Sequence, residues 1–317
     1  MSFGLLMIYI VLLRVAYFLK PLPLTDHDGG YLFHIFQSQW QNSITISFWT
    51  ATFLLITTAV YITRLGIMHI TTTSKTVIPG AVMAILGSVS LLYFPLAPYH
   101  FAGLFMVFVL GNFLNLQSIK DTSLYHFNIG FHIAFGSMFF APLALFIPYL
   151  MIRQSSMGKP TFESQVQLLT GLAVAFGLVM TYAFMTDSLH LFWQLQWTNG
   201  LYFLKNLTWF DDLSQQITTI FFFLCFAFAF FKFGTMNLSR SLTTKRKISV
   251  IYEFLLIATL IAFFQKDSYV TSFLLPAPIL ALIIGMSFSE MKKVLVGELI
   301  YMLMLIVLLF SHFYISY

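Results

Sequence analysis

The chain alternates long uncharged hydrophobic stretches with short polar and charged clusters. Three stretches, 29–63, 76–119 and 122–152, contain no Asp, Glu, Lys or Arg. A membrane-spanning helix needs only about 20 apolar residues, and the alternation typical of a membrane barrel strand is not visible. Because a helix satisfies its own backbone hydrogen bonds in lipid, the pattern predicts an all-α, polytopic transmembrane helical bundle.

The hydrophobic stretches predict about 10–11 membrane segments, one pair of which forms a broken hairpin. The continuous spans are predicted near 3–19, 44–62, 77–95, 97–117, 167–185, 214–231, 248–265, 271–288 and 294–314. The stretch 127–152 is predicted to break at Pro142, since proline interrupts a helix. Pro95 and Pro98 predict an earlier break of similar composition, which leaves an internal repeat and a chance match both open.

Charge is distributed unevenly between the loops. Only 9% of residues are charged, which excludes a soluble protein, for which about 25% is usual. With the broken hairpin counted as two segments, 12 of the 16 basic residues fall in loops on one side and six aspartates fall in loops on the other. The positive-inside rule then predicts a multi-pass membrane protein with a cytoplasmic N-terminus and a C-terminus on the outer side.

This orientation predicts one integral membrane domain, 1–317, with two outer loops at 20–43 and 186–213 and a broken hairpin at 127–153. The apolar N-terminal stretch has no basic region before it, so we interpret it as a retained first span. In both outer loops, aromatic and aliphatic residues near helical spacing predict amphipathic helices lying in the membrane interface. In the first loop these residues are Tyr31, Leu32, Ile35, Phe36 and Trp40.

Candidate chemistry concentrates in the outer loops. Asp26, His27 and Asp28 are followed by Gly29 and Gly30, which would let the backbone approach a ligand closely. Clustered aspartates can act as a general base or bind a divalent cation, Mg²⁺ or Mn²⁺. The alternative is an ordinary solvated loop in which an aspartate caps a helix.

A basic residue within the first predicted span, Arg14, would be costly in lipid unless it is paired or reaches the interface. It either extends to lipid phosphate or serves a substrate, by holding the phosphate of a lipid-linked donor or by pairing with Asp26 or Asp28. Predicted substrate-binding residues are Arg14, His27, Tyr31, Asp187 and His190, and predicted catalytic or metal-binding residues are Asp26 and Asp28.

Other classes of chemistry find little support in the sequence. The single cysteine, Cys225, excludes a disulfide framework and a cysteine metal site. Motifs for nucleotide cofactors, zinc proteases and nucleophile elbows do not occur. The net charge of +5 is explained by the cytoplasmic loops, so nucleic acid is not an expected partner, whereas the lipid bilayer is.

Three segments resemble a bacterial family of polytopic inner-membrane proteins of unassigned activity. They are RVAYFLKPLPL at 14–24, FNIGFHIAFGSMFFAP at 127–142, and SFLLPAPILALIIG together with KKVLVGELI near the end of the chain. That family is in turn similar to a reduced form of the C-type membrane glycosyltransferases. The resemblance implies a polyprenyl-phosphate-linked sugar donor, a catalytic aspartate in the first outer loop, here Asp26 or Asp28, and short hairpins broken near proline.

These observations leave three hypotheses. The first is sugar transfer from a polyprenyl-phosphate donor at the outer face. The second is a non-catalytic membrane subunit or scaffold that packs against another membrane protein in an envelope-assembly or secretion complex, because the first loop lacks the fuller acidic and aromatic signature of typical C-type enzymes. The third is a transporter, suggested only by the broken segments.

Overall fold

The computed structural model describes residues 3–15, 29–40, 43–69, 76–116, 122–157, 162–198, 213–237, 241–263, 269–291 and 294–313. Within these ranges the chain is all-α and contains no strand, which confirms the predicted fold class. The helices are α1 (Phe3–Arg14), α2 (Tyr31–Trp40), α3 (Ile44–His69), α4 (Ile78–Leu86), α5 (Pro98–Asn115), α6 (Ser123–Phe139), α7 (Phe146–Met157), α8 (Phe162–Met185), α9 (Leu189–Trp193), α10 (Leu213–Asn237), α11 (Leu242–Ala262), α12 (Tyr269–Ser272), α13 (Ala277–Ser289) and α14 (Val294–Phe313).

Four of the described helices are long and apolar enough to cross a membrane. They correspond to Ile44–His69, Phe162–Met185, Leu213–Gly234 and Leu295–His312. In the most apolar segment of α3, 56% of the residues are buried inside the protein, whereas in those of α8, α10 and α14 between 22% and 33% are buried. An apolar surface that the protein itself does not cover is suited to lipid, so the chain is a multi-pass membrane protein with α3 toward its centre.

Glycines set the closest helix contacts in the bundle. A Cβ atom on Gly130 of α6 would lie 2.0 Å from the Leu168 carbonyl oxygen, and one on Gly171 of α8 would lie 2.1 Å from the Phe127 carbonyl oxygen. Small residues let helix backbones approach in this way, which is a common device in membranes. This close contact with α8 therefore fixes the position of the α6 residues that follow Gly130.

The short helix α4 is enclosed by other helices. Every residue from Pro79 to Leu86 is buried. A Cβ atom on Gly285 of α13 would lie 2.5 Å from the Pro79 Cα atom, so the two helices also meet backbone to backbone. A helix that is hydrophobic on all sides is expected at such a buried position.

Two of the interruptions in the predicted membrane segments bear on the candidate site, and we call them the first and second breaks. The single span expected over 77–95 is wrong: α4 ends at Leu86, and the chain continues through Gly87 to a 3-10 turn at Leu91–Tyr93 before α5 starts at Pro98. At the second break, α6 ends at Phe139 and a 3-10 turn occupies Ala141–Leu145, with Pro142 in its first turn. Pro142 explains the end of α6 because proline lacks the N–H that a continuing helix needs, whereas α4 ends at Leu86 and its C-cap Gly87, well before Pro95.

Several helix ends meet at the first break. Ser47, near the start of α3, accepts a hydrogen bond from the Leu96 N–H at 2.8 Å. His312, near the end of α14, donates through Nε2 to the Ser88 carbonyl oxygen at 2.7 Å. We call this end of the bundle the break end, and the second break lies there too, since the Tyr99 and Phe140 rings are in edge contact with centroids 5.0 Å apart.

Candidate functional site

The first outer loop is attached to the second break by a hydrogen bond. The Gly30 N–H donates to the Phe139 carbonyl oxygen at 2.8 Å, directly before α2 begins. A Cβ atom on Gly30 would lie 2.2 Å from the Met138 carbonyl oxygen, so only glycine fits there without movement of the backbone. We expected this glycine to bring the backbone close to a ligand, but the structure uses it to bring α2 against α6.

Gln196 reaches the same turn from the second outer loop. It lies in the π-helical turn Gln194–Thr198, is only 2% exposed, and donates through Nε2 to the Ser137 carbonyl oxygen at 2.7 Å. Its Oε1 atom is buried without a hydrogen-bond partner among the residues that the structure describes. Sequence reasoning missed this residue, although a glutamine within the aromatic stretch Leu191–Trp197 was a signal, because a polar group buried in an apolar setting needs a reason.

Tyr31 joins α2 to the turn between α8 and α9. Its side chain is 1% exposed, and its hydroxyl is hydrogen-bonded to the Ser188 hydroxyl. Its ring meets Phe192 edge to face, with centroids 5.4 Å apart, and the Ser188 Oγ atom lies 2.8 Å from Thr186 Oγ1. The predicted substrate-binding residue is thus placed at the break end with its hydroxyl engaged by protein.

The turn after α8 is a Schellman motif, with Asp187 in the position that usually holds glycine. The Ser188 N–H donates to the Ala183 carbonyl oxygen at 2.8 Å and the Asp187 N–H to that of Phe184 at 3.2 Å. Asp187 has φ of 50°, and no other non-glycine residue in the described ranges has a positive φ. Its carboxylate is exposed, as is nearby His190. Backbone strain of this kind concentrates at functional sites.

We call Gly30, Tyr31, Asp187, Ser188 and Gln196 the second-break site. Stacked aromatic rings pack at the second break beside this site. The centroid of the Phe139 ring lies 4.1 Å from that of Phe101 and 5.8 Å from that of Phe36. The site therefore combines a rigid aromatic base with hydroxyl groups, a buried amide and an exposed carboxylate. Since the hydroxyl groups and the Gln196 amide nitrogen already bond to protein, the exposed Asp187 carboxylate is the group that can accept hydrogen bonds from a hydroxyl-rich ligand such as a sugar.

The structure places Arg14 away from the second-break site, at the first break. The side chain is fully buried, and Nη2 donates to the Tyr93 carbonyl oxygen at 2.6 Å. The guanidinium carbon lies 4.8 Å from the centre of the Phe94 ring and 5.4 Å from that of Phe48. Arg14 therefore does not extend to the lipid interface. Its contact with donor phosphate stays a prediction.

The first break is otherwise closed by protein. His100 donates through Nε2 to the Tyr93 carbonyl oxygen at 3.1 Å, and the Tyr93 hydroxyl donates to the Val270 carbonyl oxygen at 2.7 Å. The cavity beside His100 and Tyr99 measures about 10 Å³. That is room for about one water molecule and not for a sugar, so the first break supports the fold.

The sharpest sequence candidates, Asp26, His27 and Asp28, lie outside the described residues. The described chain resumes at Gly29, and Gly30 is the residue fixed to the second break. Across the described ranges, no three or more His, Cys, Asp or Glu side chains group closely enough to hold a metal ion. The fit of Mg²⁺ or Mn²⁺ is therefore not shown, and no chemical step is assigned to a metal below.

A second polar group lies at the other end of the bundle. The Arg153 Nε atom is 2.8 Å from Glu253 Oε2, and the Tyr149 hydroxyl donates to the same oxygen at 2.8 Å. The Ser249 hydroxyl donates to Glu253 Oε1 at 2.9 Å. Glu253 is thus a packing residue that ties α7 to α11.

Comparison with solved structures finds proteins of similar fold. ArnT from Cupriavidus metallidurans, solved with undecaprenyl phosphate bound, has a TM-score of 0.52 and 12% identity over 94% of this chain. The oligosaccharyltransferase of Archaeoglobus fulgidus, in its apo form, has a TM-score of 0.46 and 13% identity over 97% of this chain. The chain spans 58% and 51% of the length of these two proteins.

No protein-family model and no curated protein matches the chain. The family suggested by the three sequence segments therefore has no sequence match to support it. The likeness to ArnT is one of fold alone, and it agrees with the predicted all-α membrane bundle.

Proposed function

We propose that the protein transfers a sugar from a polyprenyl-phosphate donor to an acceptor at the outer face of a bacterial inner membrane. The observation that carries the proposal is the seating of Gly30 on the second break, in a chain with the fold of ArnT. Asp28 stands two residues before this glycine in the sequence. The lipid in the ArnT structure, undecaprenyl phosphate, supports the choice of donor.

The proposed reaction is a displacement at the anomeric carbon of the sugar. The acceptor hydroxyl oxygen forms a bond to that carbon, the bond from the carbon to the phosphate oxygen breaks, and the polyprenyl phosphate leaves. Asp28, or Asp26, accepts the proton of the attacking hydroxyl as general base. His27, Asp187 and His190 hydrogen-bond sugar or acceptor hydroxyls, and Tyr31 and Gln196 hold the loop segments that carry them.

Arg14 enters this proposal as a positioning residue, because its side chain is fully buried and Nη2 donates to the Tyr93 carbonyl oxygen; its contact with donor phosphate stays a prediction from the sequence. A divalent cation at Asp26 and Asp28 remains a proposal from the sequence alone. The orientation, with the break end outside, likewise rests on the distribution of basic residues.

The direct test is a double variant, Asp26→Asn with Asp28→Asn, assayed in vesicles with a synthetic undecaprenyl-phosphate-linked hexose. Loss of a general base lowers rates by about 10²–10⁴-fold, so release of undecaprenyl phosphate should fall by that factor. Glu163→Gln is the matched control, since Glu163 is an exposed carboxylate at the start of α8, away from the break end.

Equal rates in the double variant and the wild type would reject these aspartates as catalytic groups. If neither protein releases or binds undecaprenyl phosphate, the proposed enzyme is rejected. The scaffold hypothesis then stands, and co-purification of a partner membrane protein would support it.

A further inference from the structure

A row of three rings crosses one side of the bundle from α3 over α5 to α6. Phe108 of α5 is the middle ring, and its centroid lies 4.8 Å from that of Tyr61 on α3 and 5.4 Å from that of His132 on α6. Both contacts are edge to face. All three side chains are half-buried, so the described chain covers them only in part. We call Tyr61, Phe108 and His132 the ring row.

The ring row lies along the length of its helices rather than at their ends. Tyr61 belongs to α3, which is long and apolar enough to cross a membrane. From Tyr61 to His69, where α3 ends, the helix rises by about 12 Å, at 1.5 Å per residue. On α6, the rise is about 14 Å from Ser123 to His132 and about 10 Å from His132 to Phe139. In a membrane, these side chains are therefore at the depth of lipid tails.

Two polar atoms of the ring row have capacity for a further hydrogen bond. His132 donates through Nδ1 to the Asn128 carbonyl oxygen at 2.6 Å. Because a carbonyl oxygen only accepts, the proton of the neutral ring is on Nδ1 and Nε2 is an acceptor. The Tyr61 hydroxyl, which lies beside Gly111, can donate. Among the residues that the structure describes, neither Nε2 of His132 nor the Tyr61 hydroxyl has a hydrogen-bond partner.

These polar atoms restrict what can cover this side of the bundle. A histidine at membrane depth is costly unless it is paired, and lipid tails offer no hydrogen-bond donor. Helices in membranes pair such groups through hydrogen bonds from the side chains of a neighbouring helix. The face therefore fits a transmembrane helix that brings a donor to the depth of His132, and an acyl or polyprenyl chain lacks that donor.

The ring row itself contains a matching donor. Tyr61 and His132 both contact Phe108, whereas their own rings are not in contact within the described structure, so they flank Phe108 at a similar depth. A two-fold axis along the membrane normal keeps every residue at its own depth and exchanges the two sides of the face. With the axis beside Phe108, the Tyr61 hydroxyl of one copy faces Nε2 of His132 of the other, and the contact occurs twice.

We propose that this face is the interface of a symmetric dimer, in which Tyr61 of each copy donates to His132 of the other. Phe105 and Phe131, whose rings lie 6.3 Å and 5.9 Å from that of His132, pack around the pair. The ring row lies outside the second-break site, so the dimer does not depend on the proposed sugar transfer.

Disulfide crosslinking tests the position of the axis. Cys225→Ala removes the single cysteine of the chain, so that an introduced thiol is the only one. In this background, Phe108→Cys oxidised in vesicles should give a covalent dimer. Leu178→Cys is the matched control and should stay monomeric, because Leu178 is 59% exposed on α8 and lies about 10 Å of helix from its end. Equal crosslinking at both positions, or a different membrane protein trapped at Phe108→Cys, would overturn the proposal.

Energy transfer between labelled full-length copies in vesicles tests the hydrogen bond. Tyr61→Phe removes only the hydroxyl and should raise the dimer dissociation constant about tenfold or more, since two symmetry-related bonds are lost. His132→Phe should act similarly, and the double variant should be no weaker than either single one, because both changes remove the same bond. Tyr182→Phe, at an exposed tyrosine of α8, should leave association unchanged. Additive losses in the double variant, or a wild-type chain that stays monomeric, would contradict the dimer.

Discussion

The two breaks have similar sequences and different structures. At the first break, Arg14 and His100 both donate to one carbonyl oxygen, that of Tyr93, and the turn is sealed among helix ends. At the second break, the polar groups come from the outer loops through Gly30 and Gln196, beside the exposed carboxylate of Asp187. A broken helix exposes backbone groups that must find partners, and the source of those partners decides whether the break supports the fold or carries a site.

The largest effect is expected from Arg14→Ala, which removes the cation at the closed first break. The loss of a charged hydrogen bond, two ring contacts and buried volume should lower the free energy of unfolding by about 3–5 kcal/mol. Thermal unfolding can be followed through reaction of Cys225 with a thiol dye, because this cysteine is buried in the folded chain. Leu12→Ala, on the same helix but 63% exposed, should change stability by less than about 0.5 kcal/mol; a similar loss in both variants would contradict the role of Arg14.

An intermediate effect is expected from Gly30→Ala, which separates the outer loop from the second break. The added methyl group would meet the Met138 carbonyl oxygen at 2.2 Å, so α2 must shift away. Amide hydrogen exchange in Tyr31–Trp40 should accelerate and sugar transfer should fall together. Gly177→Ala is the control, since its Cβ atom would meet nothing within 4 Å and the change should stabilise α8 by up to about 1 kcal/mol. Unchanged exchange in Gly30→Ala would show that α2 is held by other contacts.

The smallest effect on stability is expected at Asp187. Its variants also distinguish a carboxylate that binds substrate from a residue that only forms the turn. Asp187→Gly relieves the positive φ and should raise the free energy of unfolding by about 0.5–1 kcal/mol. If the carboxylate binds substrate, the same variant should lose sugar transfer, so stability and activity would move in opposite directions. Asp187→Asn keeps a residue that tolerates this φ and removes only the charge. Full activity in both variants would leave Asp187 as a turn residue.

The sequence predicted the class of element well and its contacts poorly. Proline and uncharged length were sufficient to predict the second break, because both act locally on the backbone. The same local signals did not show that α4 ends at Leu86, since Gly87 and Ser88 are compatible with a membrane helix and only the surrounding helices make the turn there favourable.

Individual residues show the same division. Arg14 was recognised as unusual from its place in an apolar stretch, but its partner, Tyr93, is 79 residues away. Gln196 was missed because its role depends on the hydrogen bond that it donates to the Ser137 carbonyl oxygen of α6, and no local sequence pattern reveals that contact. Tyr31 was predicted to bind substrate, and that stays a prediction; its bond to Ser188, which spans 157 positions, was visible only in the structure.

Hydrophobic length, prolines and the distribution of charge are local properties, and by themselves they determined that the chain is an all-α multi-pass membrane protein with interrupted helices. Which break is closed and which carries polar groups from the outer loops was decided only by the tertiary structure. The physical reason is that an interrupted helix needs hydrogen-bond partners from elsewhere in the chain. Residues distant in sequence supply them, and glycines such as Gly30, Gly130 and Gly171 admit the backbones that bring those residues close.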